Sequence, residues 1–146
     1  MIRQKPSTQQ GGRSVSYREH LGMVIERRGS GESVVVLDAD ERHLNSSGII
    51  HGGVIMSLAD TAVGVAAQTL IDLETYRTVM AQLNTSFIKA AKPGRLVARG
   101  VVTSLGRRLA FGEAEVRQGD TLVAKASGVV YIQRRQPPAG PGSSQG

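Results

Sequence analysis

The sequence predicts an α+β domain: one long buried apolar helix covered by an antiparallel sheet. Two observations predict it. Residues 54–71 are nearly unbroken in apolar character, with Val54, Ile55, Leu58, Ala62, Val63, Val65 and Ala66 spread round almost the whole helical circumference. After them the apolar period changes from 3.6 to 2, and runs of alternating residues are separated by turn chemistry.

The helix comes first. A helix apolar on every side is buried in protein or spans a membrane. This one is marginal in length for a bilayer and contains Asp60 and Gln68, which points to burial. Gly52-Gly53 mark its start, and the turn region at 72–74 its end. Four strands follow at 78–88, 95–105, 108–117 and 121–133, divided by Lys92-Pro93-Gly94, Gly106-Arg107 and Gln118-Gly119-Asp120. Such short connections predict a meander of antiparallel neighbours. Before the helix, 23–27 and 32–37 form a hairpin through Gly29-Ser30-Gly31. One sheet encloses an all-round apolar helix only by curling strongly or with help from a second subunit, so an oligomer is expected.

Length and composition bound the rest. The chain of 146 residues is expected to hold one domain, 17–133, between polar tails at 1–16 and 134–146. There is no Cys, which excludes disulfides, thiolate catalysis and Cys-ligated metal sites. His20, His43 and His51 lack metal-ligand spacing, so no metal is expected. With aromatics at 3%, base stacking on single strands has little to work with. The net charge of +6 is largely terminal: Arg3, Lys5, Arg13, Arg134 and Arg135 lie in the tails. Within the domain, no acid occurs between Glu74 and Glu113, while Arg77, Lys89, Lys92, Arg95, Arg99, Arg107 and Arg108 do. A basic flank on a nearly neutral domain suits a small polyanion, and equally a solvated, cation-protected sheet edge. The start carries no secretory signal, and a cytoplasmic protein is expected. No nucleic-acid signature and no membrane segment are found.

The chemistry concentrates at Asn45-Ser46-Ser47-Gly48-Ile49-Ile50-His51-Gly52-Gly53 and at Asp60. Asn45 suits a turn, His51 a helix cap, and the glycines a close backbone approach. Asp60 is harder to account for structurally, because a carboxylate midway along an apolar helix costs several kcal/mol unless paired or solvated. Functionally, the unpaired first amides of the helix sit at its positive end. Gly52 could stabilise a developing oxyanion there, with Asp60 as base or nucleophile and Asn45 positioning water or a carbonyl. Nine helical residues advance about 13.5 Å and turn about 180°, so His51-Gly52 and Asp60 of one chain do not readily meet. They meet if the site lies between two subunits.

The pattern Asn45-x-x-Gly48-x-x-His51-Gly52-Gly53-x-x-x-x-Leu58-x-Asp60-x-x-x-Gly64 resembles the hotdog-fold acyl-CoA thioesterases of the phenylacetate-pathway (PaaI-like) group, related to the 4-hydroxybenzoyl-CoA thioesterases. The resemblance extends through Asn84-Thr85-Ser86-Phe87, Lys92-Pro93-Gly94, Gly106-Arg107-Arg108 and Leu122-Val123-Ala124-Lys125-Ala126, covering roughly residues 20–132. It implies a hotdog fold, one long buried helix wrapped by a curved antiparallel sheet, with homodimers through a continuous sheet and often homotetramers, and hydrolysis of acyl-CoA thioesters without metal or organic cofactor. By position it implies Gly52 as oxyanion donor and Asp60 of the neighbouring subunit as base or nucleophile. Asn45 would orient the water or the carboxylate, and His51 contact the thioester end. Gly53, Thr61, Gly64 and Met80 would line the substrate, with Arg107, Arg108, Lys89 and Arg95 as candidates for the CoA phosphates. Where some members carry a Ser or Thr hydroxyl, this chain has Gly64 and Met80, with Thr61 and Thr78 the nearest hydroxyls. Two other functions stay open beside acyl-CoA hydrolysis: hydration or dehydration of acyl thioesters, and non-catalytic acyl-CoA sensing.

Overall fold

A computed structural model describes residues 14–138 and 140; most of both predicted tails lies outside the described residues. The chain opens with a helix that its sequence pattern did not reveal, α1 (Tyr17–Leu21). Five residues are too few to show a period. Its ends are nonetheless well specified: Ser16 and Glu19 form a reciprocal capping box, and Gly22 closes the helix at φ 83°. Strands β1 (Val24–Gly29) and β2 (Glu32–Ala39) form the expected hairpin. A single 3-10 turn at Glu41–His43 leads to the main helix α2 (Gly52–Gln68). Strands β3 (Tyr76–Phe87), β4 (Gly94–Leu105), β5 (Leu109–Gln118) and β6 (Thr121–Arg134) follow.

The six strands form one antiparallel sheet in the order β1-β2-β4-β5-β6-β3. The predicted meander holds for β4, β5 and β6. It fails for β3, which pairs with β6 at the far edge rather than with β4. A short connection does not guarantee neighbours when it runs extended. Residues 88–93 span up to about 20 Å when extended, enough for the roughly 14 Å across three strand spacings. Their path over the end of the sheet is pinned by Ile88 N–H to the Val123 carbonyl (2.8 Å) and by Ile50 N–H to the Ala91 carbonyl (2.9 Å). The last strand residue and Ile88 therefore stand beside the start of α2.

Helix α2 lies along the concave face. Leu37, Leu58, Leu96, Val35, Val63 and Val116 are among its fully buried packing partners and residues. Glycines on three successive strands let it nest. A Cβ on Gly100 would run into the Ala62 carbonyl, one on Gly112 would lie 2.8 Å from Val63 Cγ1, and one on Gly128 3.1 Å from Met80 Sδ. Ser33, buried on β2, donates its hydroxyl to that same Ala62 carbonyl at 2.6 Å.

The helix differs from expectation in two ways. It ends at Gln68 rather than Ile71, with Thr69 N–H and Leu70 N–H turning back to Ala66 and Ala67. It is also not enclosed all round. Ser57, Asp60, Thr61, Gly64 and Gln68 recur at helical spacing and form a partly exposed strip. The apolar side chains outnumber these five in sequence, but helical geometry collects the five on one face.

Candidate active site

The loop before α2 is built to present backbone amides. Asn45 Oδ1 accepts from Ser47 N–H (2.9 Å) and Ile49 N–H (3.3 Å), and Asn45 N–H donates to the Ile49 carbonyl (2.8 Å). Gly48 completes this tight loop at φ 79°, a conformation that favours glycine. The Asn45 side-chain NH₂ is left without a protein acceptor among the described residues. Buried His43 anchors the loop to its surroundings: its Nδ1 accepts from Asp40 N–H (3.0 Å) and its Nε2 meets the Leu21 carbonyl (2.8 Å).

His51 is the N-cap of α2, with extended backbone at φ −60° and ψ 135°, and its Nδ1 accepts from Gly53 N–H at 2.8 Å. Gly53 is required by that cap, since a Cβ there would lie 2.9 Å from His51 Nδ1. Val54 and Ile55 N–H both turn to the His51 carbonyl, at 2.9 and 3.4 Å. Of the first four amides of the helix, only Gly52 N–H finds no acceptor among the described residues. Phe87 packs over it: a Cβ on Gly52 would sit 3.3 Å from the ring. Asn45, Gly52, Ile55, Phe87 and Lys89 line one depression of about 260 Å³.

Asp60 lies two turns further along α2, on the partly exposed strip. It makes no hydrogen bond or ion pair with any described residue. Partial burial raises its carboxyl above the ordinary aspartate value, with nothing nearby to pull it back. Asp60, Thr61, Gly64 and Met80 line a second depression, of about 430 Å³, together with Gln68, Thr78, Val130 and residues of α1 and β1. Arg18 and Arg28 border it without ion-pairing Asp60.

The two depressions share no residue. Within one chain the free Gly52 amide and the unpaired Asp60 carboxylate therefore open onto different surfaces, as the helical spacing predicted. The basic residues divide as well. Lys89 borders the Gly52 depression, whereas Arg95 is held by Glu26 (2.7 Å) and Asp38 (3.6 Å) on the other side of the sheet. Arg107 and Arg108 are exposed at the β4–β5 turn and border neither depression. A further hollow of about 420 Å³ crosses the outer sheet face, lined by Arg27, Arg99, Glu32, Glu113 and Glu115. Its charges of both signs alternate over strand backbone, with no free amide donor or apolar helix face, so it offers nothing comparable for catalysis.

Two residues at these depressions, Phe87 and Gln68, are visible in the sequence but have no place at the site in that reading, and Thr78 enters it only as a nearby hydroxyl. Phe87 reads as a strand residue and reaches Gly52 only because β3 ends beside the helix start. Thr78 and Gln68 are joined across the Asp60 depression by a hydrogen bond of 3.1 Å from Gln68 Nε2 to Thr78 Oγ1. The spacing of Gln68, eight residues from Asp60, places it on the same helical strip and was the available signal.

Residues 47–125, which contain the end of this loop from Ser47 onward, α2 and most of the sheet, match the profile of the thioesterase superfamily. The chain belongs to the thioesterase superfamily. It is accordingly a thioester hydrolase with the hotdog fold of that superfamily. A Deinococcus radiodurans relative whose esterase name is provisional is 37% identical over 124 residues, covering 84% of this chain and 82% of that protein. Among solved structures, a conserved Pseudomonas aeruginosa protein, PA5202, superimposes with TM-score 0.78 at 32% identity, over 82% of this chain and 95% of its own. A variant of the phenylacetic acid degradation protein PaaI from Thermus thermophilus gives TM-score 0.72 at 31% identity, over 79% of this chain and 96% of that one. Among the described residues, no helix is long and apolar enough to cross a membrane.

Proposed function

We propose that this thioesterase hydrolyses acyl-CoA thioesters with aryl-acyl or medium-chain acyl groups in the cytoplasm, at sites shared between two subunits of a homodimer or homotetramer. The observation that carries this reading is the presence on one helix of two unsatisfied groups of opposite character that open onto separate depressions. One is a free amide donor at the positive end of α2, and the other an unpaired, desolvated carboxylate. Each lacks in its own chain the partner that chemistry at a thioester carbonyl requires.

In the shared site the substrate carbonyl oxygen accepts from Gly52 N–H, and the helix dipole adds to the stabilisation as negative charge develops. Asp60 of the second subunit activates a water or attacks the carbonyl itself. Either route breaks the carbon–sulfur bond, releases CoA as the thiol and yields the free acid after water is consumed. Asn45 offers its unused NH₂ to the water or the carboxylate. His51, having committed Nδ1 to the helix cap, presents the rest of its ring towards the thioester end. Thr61, Gly64 and Met80 line the acyl group beside Asp60, and Gly53 supports the cap. Of the proposed phosphate contacts, Lys89 is the best placed, because it borders the Gly52 depression. Arg107, Arg108 and Arg95 would need a neighbouring subunit to bring the ligand to them. The domain proper is 17–133, with tails on either side.

Purified protein should release thiol from phenylacetyl-, benzoyl- or octanoyl-CoA, and Asp60→Asn should lose at least about a hundredfold in kcat. An Asp60→Asn variant as fast as the parent would remove the mechanism.

A further inference from the structure

Gly64 is an anomaly among the glycines of this fold. In a helix interior, glycine costs about 1 kcal/mol relative to alanine. At Gly100, Gly112 and Gly128 the reason for glycine is visible, since a Cβ would strike α2 or Met80. At Gly64 a Cβ would meet nothing within 4 Å. The packing of this chain does not require it, yet the space beside it is the middle of the depression that begins at Asp60.

The surroundings give that space a direction. Asp60, Gly64 and Gln68 follow at intervals of four, so they line one face of α2 over about 12 Å. Val65, Met80 and Val130 supply apolar wall between them. At the Gln68 end the helix wall turns polar, where Gln68 Nε2 donates to Thr78 Oγ1 at 3.1 Å and ties the helix to the first residues of β3, while Arg18 and Arg28 border the depression from α1 and β1. A chain of methylenes gains from lying against Val65 and Met80. It gains nothing from displacing a satisfied amide–hydroxyl pair.

We propose that Gly64 and the Gln68–Thr78 hydrogen bond set the acyl length this enzyme accepts, Gly64 keeping the channel open one turn beyond Asp60 and the polar pair stopping it two turns beyond. The proposal rests on the acyl-CoA reading above. A carbon chain advances about 1.3 Å per bond, from a C–C length near 1.5 Å, so the run of about 12 Å accommodates about nine carbons. The substrate class is therefore a medium-chain acyl group, filled to its end at roughly octanoyl to decanoyl length.

The test uses S-butyl-, S-octyl- and S-dodecyl-CoA thioethers, which bind without turnover, measured by titration calorimetry on the full-length protein. Each buried methylene is worth about fourfold in affinity. The parent should bind octyl at least about tenfold tighter than butyl and gain nothing further with dodecyl. Gly64→Val should weaken octyl at least about tenfold while holding butyl within about twofold, with Gly64→Ala between. Gln68→Ala should bind dodecyl more tightly than octyl. A flat profile in the parent, equal weakening of all three probes in Gly64→Val, or no gain for dodecyl in Gln68→Ala would overturn the proposal. So would a change of oligomeric state in Gly64→Val by light scattering, which would assign the glycine to subunit packing. The two readings fail separately: the length profile without any hydrolysis sinks the proposed activity alone, and hydrolysis without the profile sinks this inference alone.

Discussion

Replacing Gly52 by proline should delete one hydrogen atom from the proposed catalytic apparatus and leave the fold intact. Gly52 is the first residue of α2, the position where proline is best tolerated because its N–H has no helical partner. The preceding His51 is already extended at φ −60° and ψ 135°, as a residue before proline must be. The added carbons approach the Phe87 ring, whose nearest atoms would lie 3.3 Å from a Cβ. Phe87 is 54% exposed and can swing aside. Because Gly53, Val54 and Ile55 N–H are committed to His51, no neighbouring amide replaces the one removed. Loss of a single oxyanion donor is worth about 10²–10³ in kcat, or roughly 2.7–4 kcal/mol. Gly52→Ala is the control, since it makes the same contact with Phe87 and keeps the N–H. Thiol release followed with a thiol-reactive dye is free of protein background, as the chain has no Cys. Gly52→Pro should fall about a hundredfold below Gly52→Ala with KM little changed. Equal kcat for the two, with matching melting temperatures, would refute the assignment of Gly52 N–H to the carbonyl oxygen.

The shared site predicts complementation: dissociating and re-associating an equal mixture of Gly52→Pro and Asp60→Asn chains should restore about one quarter of parental activity, since half the dimers carry one intact site. Mixtures no more active than their components would place both groups in one chain's site. The raised pKa of Asp60 has a definite sign. Its protonated form contributes stability that is present below the ordinary aspartate value and lost as pH rises through the elevated native value. Asp60→Asn should therefore melt higher than the parent at pH 7 and alike in acid, and the parent's kcat/KM should rise with pH at a midpoint above that of an ordinary aspartate. In the scaffold, Gly100→Ala drives a methyl into the Ala62 carbonyl and should destabilise by about 1–3 kcal/mol in urea unfolding. Ser33→Ala removes the buried bond to that carbonyl and should cost about 1 kcal/mol.

The order of residues already held the chemical class. The spacing of Asn45, His51-Gly52-Gly53 and Asp60 was visible as text, and so was the separation of Gly52 from Asp60 within one chain, because helical rise and rotation are the same in every fold. The period change after residue 71 likewise announced the strands, since alternation is a local property of a half-buried chain. What escaped were the relations between segments distant in sequence. Nothing local tells β3 to cross the end of the sheet and pair with β6, or brings Phe87 onto Gly52 and Thr78 onto Gln68. The five residues of α1 were too few to betray a helix, and Arg95 looked available until Glu26 and Asp38 were found beside it. The local cap accounts for the free amide: His51 accepts from Gly53, Val54 and Ile55 N–H, so among the described residues Gly52 N–H, the donor already singled out from the sequence, is left without an acceptor. Side-chain type and local spacing are inherited from the chain, whereas who satisfies whom depends on which surfaces the sheet brings together.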